Sequence, residues 1–113
     1  MHEMAMVKNA LEMVCSEALR RGASRVTKIK LRIGEFRGVV KESFEFAYKS
    51  LRRDTLAADA ELEIETVPLR VECERCGQVE CSAGDFDFLC PRCGDPAHIV
   101  AGREMEIEYL EIE

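Results

Sequence analysis

The 113 residues predict an α+β fold: a small three-stranded sheet packed by two helices, with a four-cysteine module inserted into it. Three observations lead there. Two stretches carry apolar residues at helical spacing. Three others alternate apolar and polar residues at strand spacing. Before the last of those strands, periodicity gives way to Cys, Gly, Pro and Asp.

The first helix is predicted over residues 3–21. Met4, Val7, Leu11, Val14 and Ala18 recur at spacings of three and four, which puts them on one face. Arg20 and Arg21 suit the negative end of the helix dipole, and Gly22 supplies the stop. A strand follows over 25–33, where Ile29, Leu31 and Ile33 alternate with Lys28, Lys30 and Arg32. Gly34 and Gly38 bracket a turn. The second helix is predicted over 41–53, with Phe44, Ala47, Tyr48 and Leu51 on its apolar side. A strand at 61–67 sets Leu62, Ile64 and Thr66 against Glu61, Glu63 and Glu65, and Pro68 ends it. The basic face of one strand and the acidic face of the other suit cross-strand pairing. Residues 103–113 form the third strand, with Met105 and Ile107 inward and a slip of the alternation at Tyr109-Leu110. The domain division is therefore 1–70 with 101–113 as the α+β part, and 71–100 as the inserted module.

Composition narrows the function classes. Residues 1–70 hold 13 Lys+Arg and 11 Asp+Glu, whereas residues 71–113 hold 3 and 11. A second half so acidic repels phosphate backbones, so nucleic acid is not an expected partner. It suits a solvated surface, or a basic protein partner. No apolar run approaches the roughly 20 residues needed to cross a bilayer. Met1-His2-Glu3 lacks the basic start and apolar stretch of a secretory signal. The expected location is the cytoplasm, where six cysteines point to metal or redox chemistry before disulfides.

Five of the six lie within 21 residues. Cys73-Glu-Arg-Cys76-Gly and Cys90-Pro-Arg-Cys93-Gly form two pairs with thirteen residues between them. Two intervening residues let both thiolates of a pair turn toward one point, and Gly77 and Gly94 allow the turn. Two such knuckles complete a tetrahedron of sulfur around Zn2+, with iron as the rival metal for the same ligand set. Four thiolates leave no open position, so the zinc is structural. Val71, Val79, Phe86, Phe88 and Leu89 are too few to fold the module alone, and metal binding supplies the difference. Cys81 and Cys15 read as small packing residues, and His98 as a loop histidine. No Ser/His/Asp set, phosphate-binding Gly loop or open zinc site is present, so no enzyme is expected. Thiolates locked on zinc are not free nucleophiles.

The amino terminus is a second candidate site. The α-amino group of Met1, the amide and imidazole of His2, and the amide or carboxylate of Glu3 can close around one cation as fused chelate rings. An all-nitrogen planar set favours Ni(II) or Cu(II) over zinc. On geometry alone an exposed terminal histidine is the plainer reading.

Together these features resemble the HypA/HybF family of nickel metallochaperones for [NiFe]-hydrogenase maturation. The likeness runs essentially the whole length. Its carriers are Met1-His2-Glu3-Met4, Arg32-Ile33-Gly34-Glu35 with Gly38-Val39, the two cysteine pairs, and Gly102-Arg103-Glu104-Met105-Glu106-Ile107. The resemblance implies Ni2+ as cargo at Met1, His2 and Glu3, with His2 the essential ligand, and Zn2+ at Cys73, Cys76, Cys90 and Cys93. It implies a HypB-type GTPase and the hydrogenase large-subunit precursor as partners, with urease as a further destination. It leaves monomer or homodimer open. Some members carry an acidic residue near position 40 that assists at nickel. Val40 stands there in this chain, so the nickel site is not extended beyond the terminus, and Cys81 matches no part of the family pattern. The competing reading is a zinc-ribbon protein-interaction module without nickel transfer.

Overall fold

The protein is seen in a computed structural model that describes residues 2–113. The elements run α1 (His2–Arg20), β1 (Val26–Gly34), α2 (Lys41–Leu51), β2 (Glu61–Val67), β3 (Arg70–Cys73), β4 (Gly77–Glu80), β5 (His98–Ala101) and β6 (Met105–Ile112). Single turns of 3-10 helix occupy Glu35–Arg37 and Ala83–Asp85. The strands form two three-stranded sheets, ordered β2-β1-β6 and β4-β3-β5. The contacts group into two compact units.

The first unit gathers α1, β1 as far as Leu31, Val39–Glu65 and Glu106–Glu113. Its core follows from the spacing of apolar residues. Val7, Leu11, Val14 and Ala18 are buried along one stripe of α1, and Phe44, Ala47 and Tyr48 along one side of α2. Val26, Ile29 and Leu31 of β1 are also buried, and the helix stripes pack over Ile29 and Leu31. Each fully buried large side chain contributes about 1.5–3 kcal/mol. Met4 departs from the expected stripe. It is 37% exposed, while Met6 and Ala10 are buried in addition to the predicted set. The seam is carried by the 7-11-14-18 row, and Met4 lies in the first turn beyond its end. Leu51 is only partly buried at the last turn of α2.

The ends of α1 obey their sequence signals. Glu3 lies in the first turn and Arg20 in the last. Gly22 takes φ 72°. Ala23 N–H then bonds Ala18 O at 3.0 Å and Gly22 N–H bonds Leu19 O at 3.0 Å, closing the helix as a Schellman motif. Tyr48 Oη donates to Ala60 O at 2.7 Å, and Arg52 Nη1 donates to the same oxygen at 3.0 Å. These bonds fasten α2 to the turn before β2.

On the polar face of this sheet, Lys28 reaches Glu61 and Glu63, and Lys30 reaches Glu63, Glu65 and Glu108. The β1 and β2 contacts advance in the same direction along both strands, the sense produced by a helical crossover. The charge pairing expected from the sequence therefore forms, and it extends to β6. Burial along β6 also slips at Glu108-Tyr109, where two successive residues are exposed.

The second unit comprises Arg32–Gly38 and Thr66–Met105. It holds a regular sheet that the loss of periodicity did not announce. β3 pairs antiparallel with β4 through Val71↔Val79 and Cys73↔Gly77, and with β5 through Val71↔Ile99 and Glu72↔His98. Four-residue strands are too short for alternation to stand out. The core here is Leu69, Val71, Cys73, Val79, Cys90 and Ala97, with Phe36 and Phe86 packed against it. Two of its six buried members are thus cysteines. Phe88 and Leu89, expected in this core, are 49% and 44% exposed. Phe88 takes φ 68°, and the reversal there turns Leu89 outward as Cys90 enters the core.

Candidate metal centre

The two knuckles meet. One sulfur from each of Cys73, Cys76, Cys90 and Cys93 lies within 4.8 Å of every other. Zn–S bonds of ~2.3 Å in a regular tetrahedron set sulfurs ~3.8 Å apart, so one ion of that size fits among them. Cys73 Sγ and Cys93 Sγ are 3.5 Å apart.

Local structure places each sulfur. Cys73 ends β3 and Gly77, at φ 74°, begins β4, so the first knuckle is the hairpin turn itself. In the second, Gly94 takes φ 82° and donates its N–H to Cys90 O at 2.9 Å. Arg92 N–H points at Cys90 Sγ, 3.4 Å away. Cys73 and Cys90 are buried, whereas Cys76 and Cys93 are partly exposed.

The electrostatics call for a cation. Burial works against ionising Cys90, but the Arg92 and Cys93 N–H groups aimed at its sulfur bring its pKa down to about 7. An Asp95 N–H favours the Cys93 thiolate, yet burial and the Cys73, Cys76 and Cys90 sulfurs push it up to about 12. The Cys93 sulfur favours ionisation of Cys76, but burial and the Cys90 thiolate outweigh it and raise its pKa. Four sulfurs this close cannot all carry charge unless a dication compensates them. The donor set therefore fits a resident structural zinc.

At the other candidate site, Met1 lies outside the described residues. His2 is exposed and begins α1. Amides in the first turn of a helix have no intrahelical acceptor, so the His2 and Glu3 nitrogens stand at the helix end. Glu3 Oε2 accepts the Val40 N–H at 3.2 Å. Val40 is the N-cap of α2 and offers no side-chain cap of its own. The Val40 N–H, then Glu3's own N–H, hold this carboxyl below the ordinary carboxylate range. Slight desolvation opposes them and the His2 charge adds to them. Position 40 thus engages the Met-His-Glu segment through its backbone.

The family model for HypA, described as hydrogenase/urease nickel incorporation, metallochaperone, matches residues 1–112. The chain belongs to the HypA family. It is 40% identical over 114 residues to the hydrogenase maturation factor HypA of Geobacter metallireducens, all of both chains being covered. It is 38% identical to that of Roseiflexus sp., over all of this chain and 93% of the relative. The solution structure of the Ni metallochaperone HypA from Helicobacter pylori superposes with a TM-score of 0.73 at 27% identity, over 99% of this chain and 97% of that one.

Within this HypA chain the remaining candidates fall outside the sulfur cluster. Cys81 is partly exposed. Burial, with the Glu35 and Cys90 charges, raises its pKa, the behaviour of an unreactive thiol. Cys15 is partly exposed on α1. His98 lies on β5 rather than in a loop, with Nε2 3.5 Å from Glu72 Oε1. Sequence reasoning gave Glu35 no role, yet its Oε1 accepts the Leu69 N–H at 3.1 Å. Its signal was present in the Gly34-Glu35 pair that carries the family resemblance. Among the described residues, no helix is long and apolar enough to cross a membrane.

Proposed function

We propose that this chain is a nickel carrier that takes Ni(II) at its amino terminus and hands it on for hydrogenase maturation. Nickel is cargo, and zinc at Cys73, Cys76, Cys90 and Cys93 is scaffold. The observation that carries the reading is the whole-length HypA match on a chain that opens Met-His-Glu. The proposed donors are the Met1 α-amino group, the His2 amide and imidazole, and the Glu3 amide. The Glu3 carboxylate has a different task, because it is already engaged with the Val40 N–H. It tethers the donor segment to α2.

The chemistry suits transfer. A carrier must hold its metal against dilution and yield it to a deeper site. A terminal chelate orders few residues and stays open to exchange. Its nitrogens shed protons on binding, so acid releases the metal. The recipient is a [NiFe]-hydrogenase large-subunit precursor, aided by a HypB-type GTPase. The family description's mention of urease supports that enzyme as a second destination. The protein carries and transfers; it catalyses no reaction.

Elemental analysis and calorimetry on His2→Ala test the reading. The variant is expected to lose nickel binding and keep one zinc per chain with unchanged helicity. Full nickel affinity in that variant would remove His2 from the site.

A further inference from the structure

The zinc module carries a groove beside the sulfur cluster, bordered by Cys90 but extending along residues that ligate neither metal. Its volume is about 460 Å³, and Phe86, Leu89 and Pro91 contribute its apolar wall, with Asp85 and Asp87 beside them. We propose that this groove docks an extended segment of a partner protein in which a lysine or arginine stands next to an aliphatic side chain.

Three features favour that occupant. First, the two carboxylates lie on the groove, and neither forms an ion pair among the described residues. Asp87 Oδ1 accepts the Leu89 N–H at 3.3 Å, leaving its second oxygen for a cation. Second, the surrounding charge has one sign. Residues 71–100 hold six Asp+Glu against two Arg. Four thiolates around one dication leave the cage negative as well. An acidic segment is repelled and a basic one steered in.

Third, the backbone is bent at some cost to present the wall. Phe88 takes φ 68°, a conformation that a bulky residue adopts rarely and that clusters at binding sites. The strain is held by neighbours. The Phe88 ring lies 4.9 Å from Phe86 and 6.2 Å from Phe36, and its carbonyl accepts the Ala97 N–H at 3.0 Å. The bend leaves Leu89 44% exposed beside Cys90 at 3%. A large apolar side chain turned outward by a strained residue, next to unpaired acids, fits a short mixed segment. A purely apolar partner would strand the carboxylates, and a purely polar one would leave Leu89 wet.

The test uses zinc-loaded, nickel-free full-length protein, so its result is independent of the nickel reading. A positional-scanning decapeptide library is selected against the protein. Enriched peptides are then titrated into it, into Asp85→Asn/Asp87→Asn, and into Leu89→Ser, with zinc content and helicity checked for each. Enrichment of Lys or Arg next to Leu, Ile or Val is expected, with amide shifts confined to residues 81–94. Affinity is expected to fall at least tenfold in the double variant, and to weaken with salt in the parent. The absence of such enrichment overturns the proposal. So do equal binding by the variants and shifts located elsewhere. Shifts of the same amides on raising protein concentration without peptide would assign the groove to a second copy instead.

Discussion

Gly34→Ala is the sharpest perturbation the second unit offers. A Cβ built on Gly34 falls 2.5 Å from Arg103 N and closer still to the Gly102 carbonyl, all backbone atoms. Ordinary contact begins near 3.4 Å, and the Gly102 carbonyl is the nearest obstacle, so the two segments must part by well over 1 Å. They are not free to do so. Gly34 N–H bonds Glu104 O at 2.7 Å, and Phe36 N–H bonds Gly102 O at 2.9 Å. Gly102 has no room behind it, because its own φ is 115° and a Cβ there would lie 2.7 Å from Leu69 Cα. Breaking both bonds and leaving their groups poorly paired costs about 2–6 kcal/mol, a large share of the 5–15 kcal/mol typical of a whole domain. At roughly 4 °C per kcal/mol for a chain of this length, the melting temperature is expected to fall by about 10 °C or more. The assay is thermal unfolding of the zinc-loaded protein by circular dichroism. Gly84→Ala is the control, since nothing lies within 4 Å of its Cβ. A Gly34→Ala protein that melts within about 2 °C of the parent and holds zinc normally would refute the reasoning.

Stripping zinc with a strong chelator under reducing conditions is expected to remove hydrogen-exchange protection from β3, β4 and β5, because two of the six buried core residues there are zinc thiolates. The helical signal of α1 and α2 is expected to persist. Full protection of the three strands in the chelated protein would contradict this. Acid sensitivity follows from Glu63, whose carboxyl is held below its ordinary value by Lys30 and then Lys28. A folded-state pKa lower than the unfolded one stabilises above the unfolded value, and that gain is lost as pH falls through the folded value. The melting difference between the parent and Glu63→Gln is therefore expected to be small and positive near neutrality. It is expected to vanish towards pH 3, and the same difference at every pH would discount the pair.

How much could be read from the sequence depended on the length of each pattern. α1 and β1 show several periods apiece, so their faces were legible to within a residue or two. The three-stranded sheet followed from three alternating runs. The second sheet was not legible, because its strands have four residues each and are ordered as much by the metal as by side-chain pattern. Phe88 and Leu89 were misplaced for a related reason. Apolar character alone cannot announce a residue at φ 68° that reverses the chain. The sulfur cluster was the clearest feature, since two residues between paired cysteines constrain geometry directly. The tether from Glu3 to Val40 was invisible, because its donor is a backbone N–H and any non-proline residue at position 40 supplies one.

The motif residues of the second unit can now be given a physical task. The cysteine module leaves its scaffold just before β3, at Leu69, and returns just after β5, at Gly102. Leu69 N–H is held by Glu35 Oε1 at 3.1 Å, and Gly102 O by the Phe36 N–H at 2.9 Å. Gly34 lies against Gly102 and Arg103 so closely that only glycine fits. One short stretch, Gly34-Glu35-Phe36, therefore pins both ends of the loop, and the sulfur cage pins its far end. Each clamp shortens the chain whose entropy the other must overcome. The two are expected to couple rather than add. Zinc loss from a Gly34→Ala protein releases a loop whose base is already loosened on the Gly102 side, whereas zinc loss from the parent leaves its base closed. That arrangement gives Gly34, Gly102 and Glu35 a structural task beside that of the metal ligands.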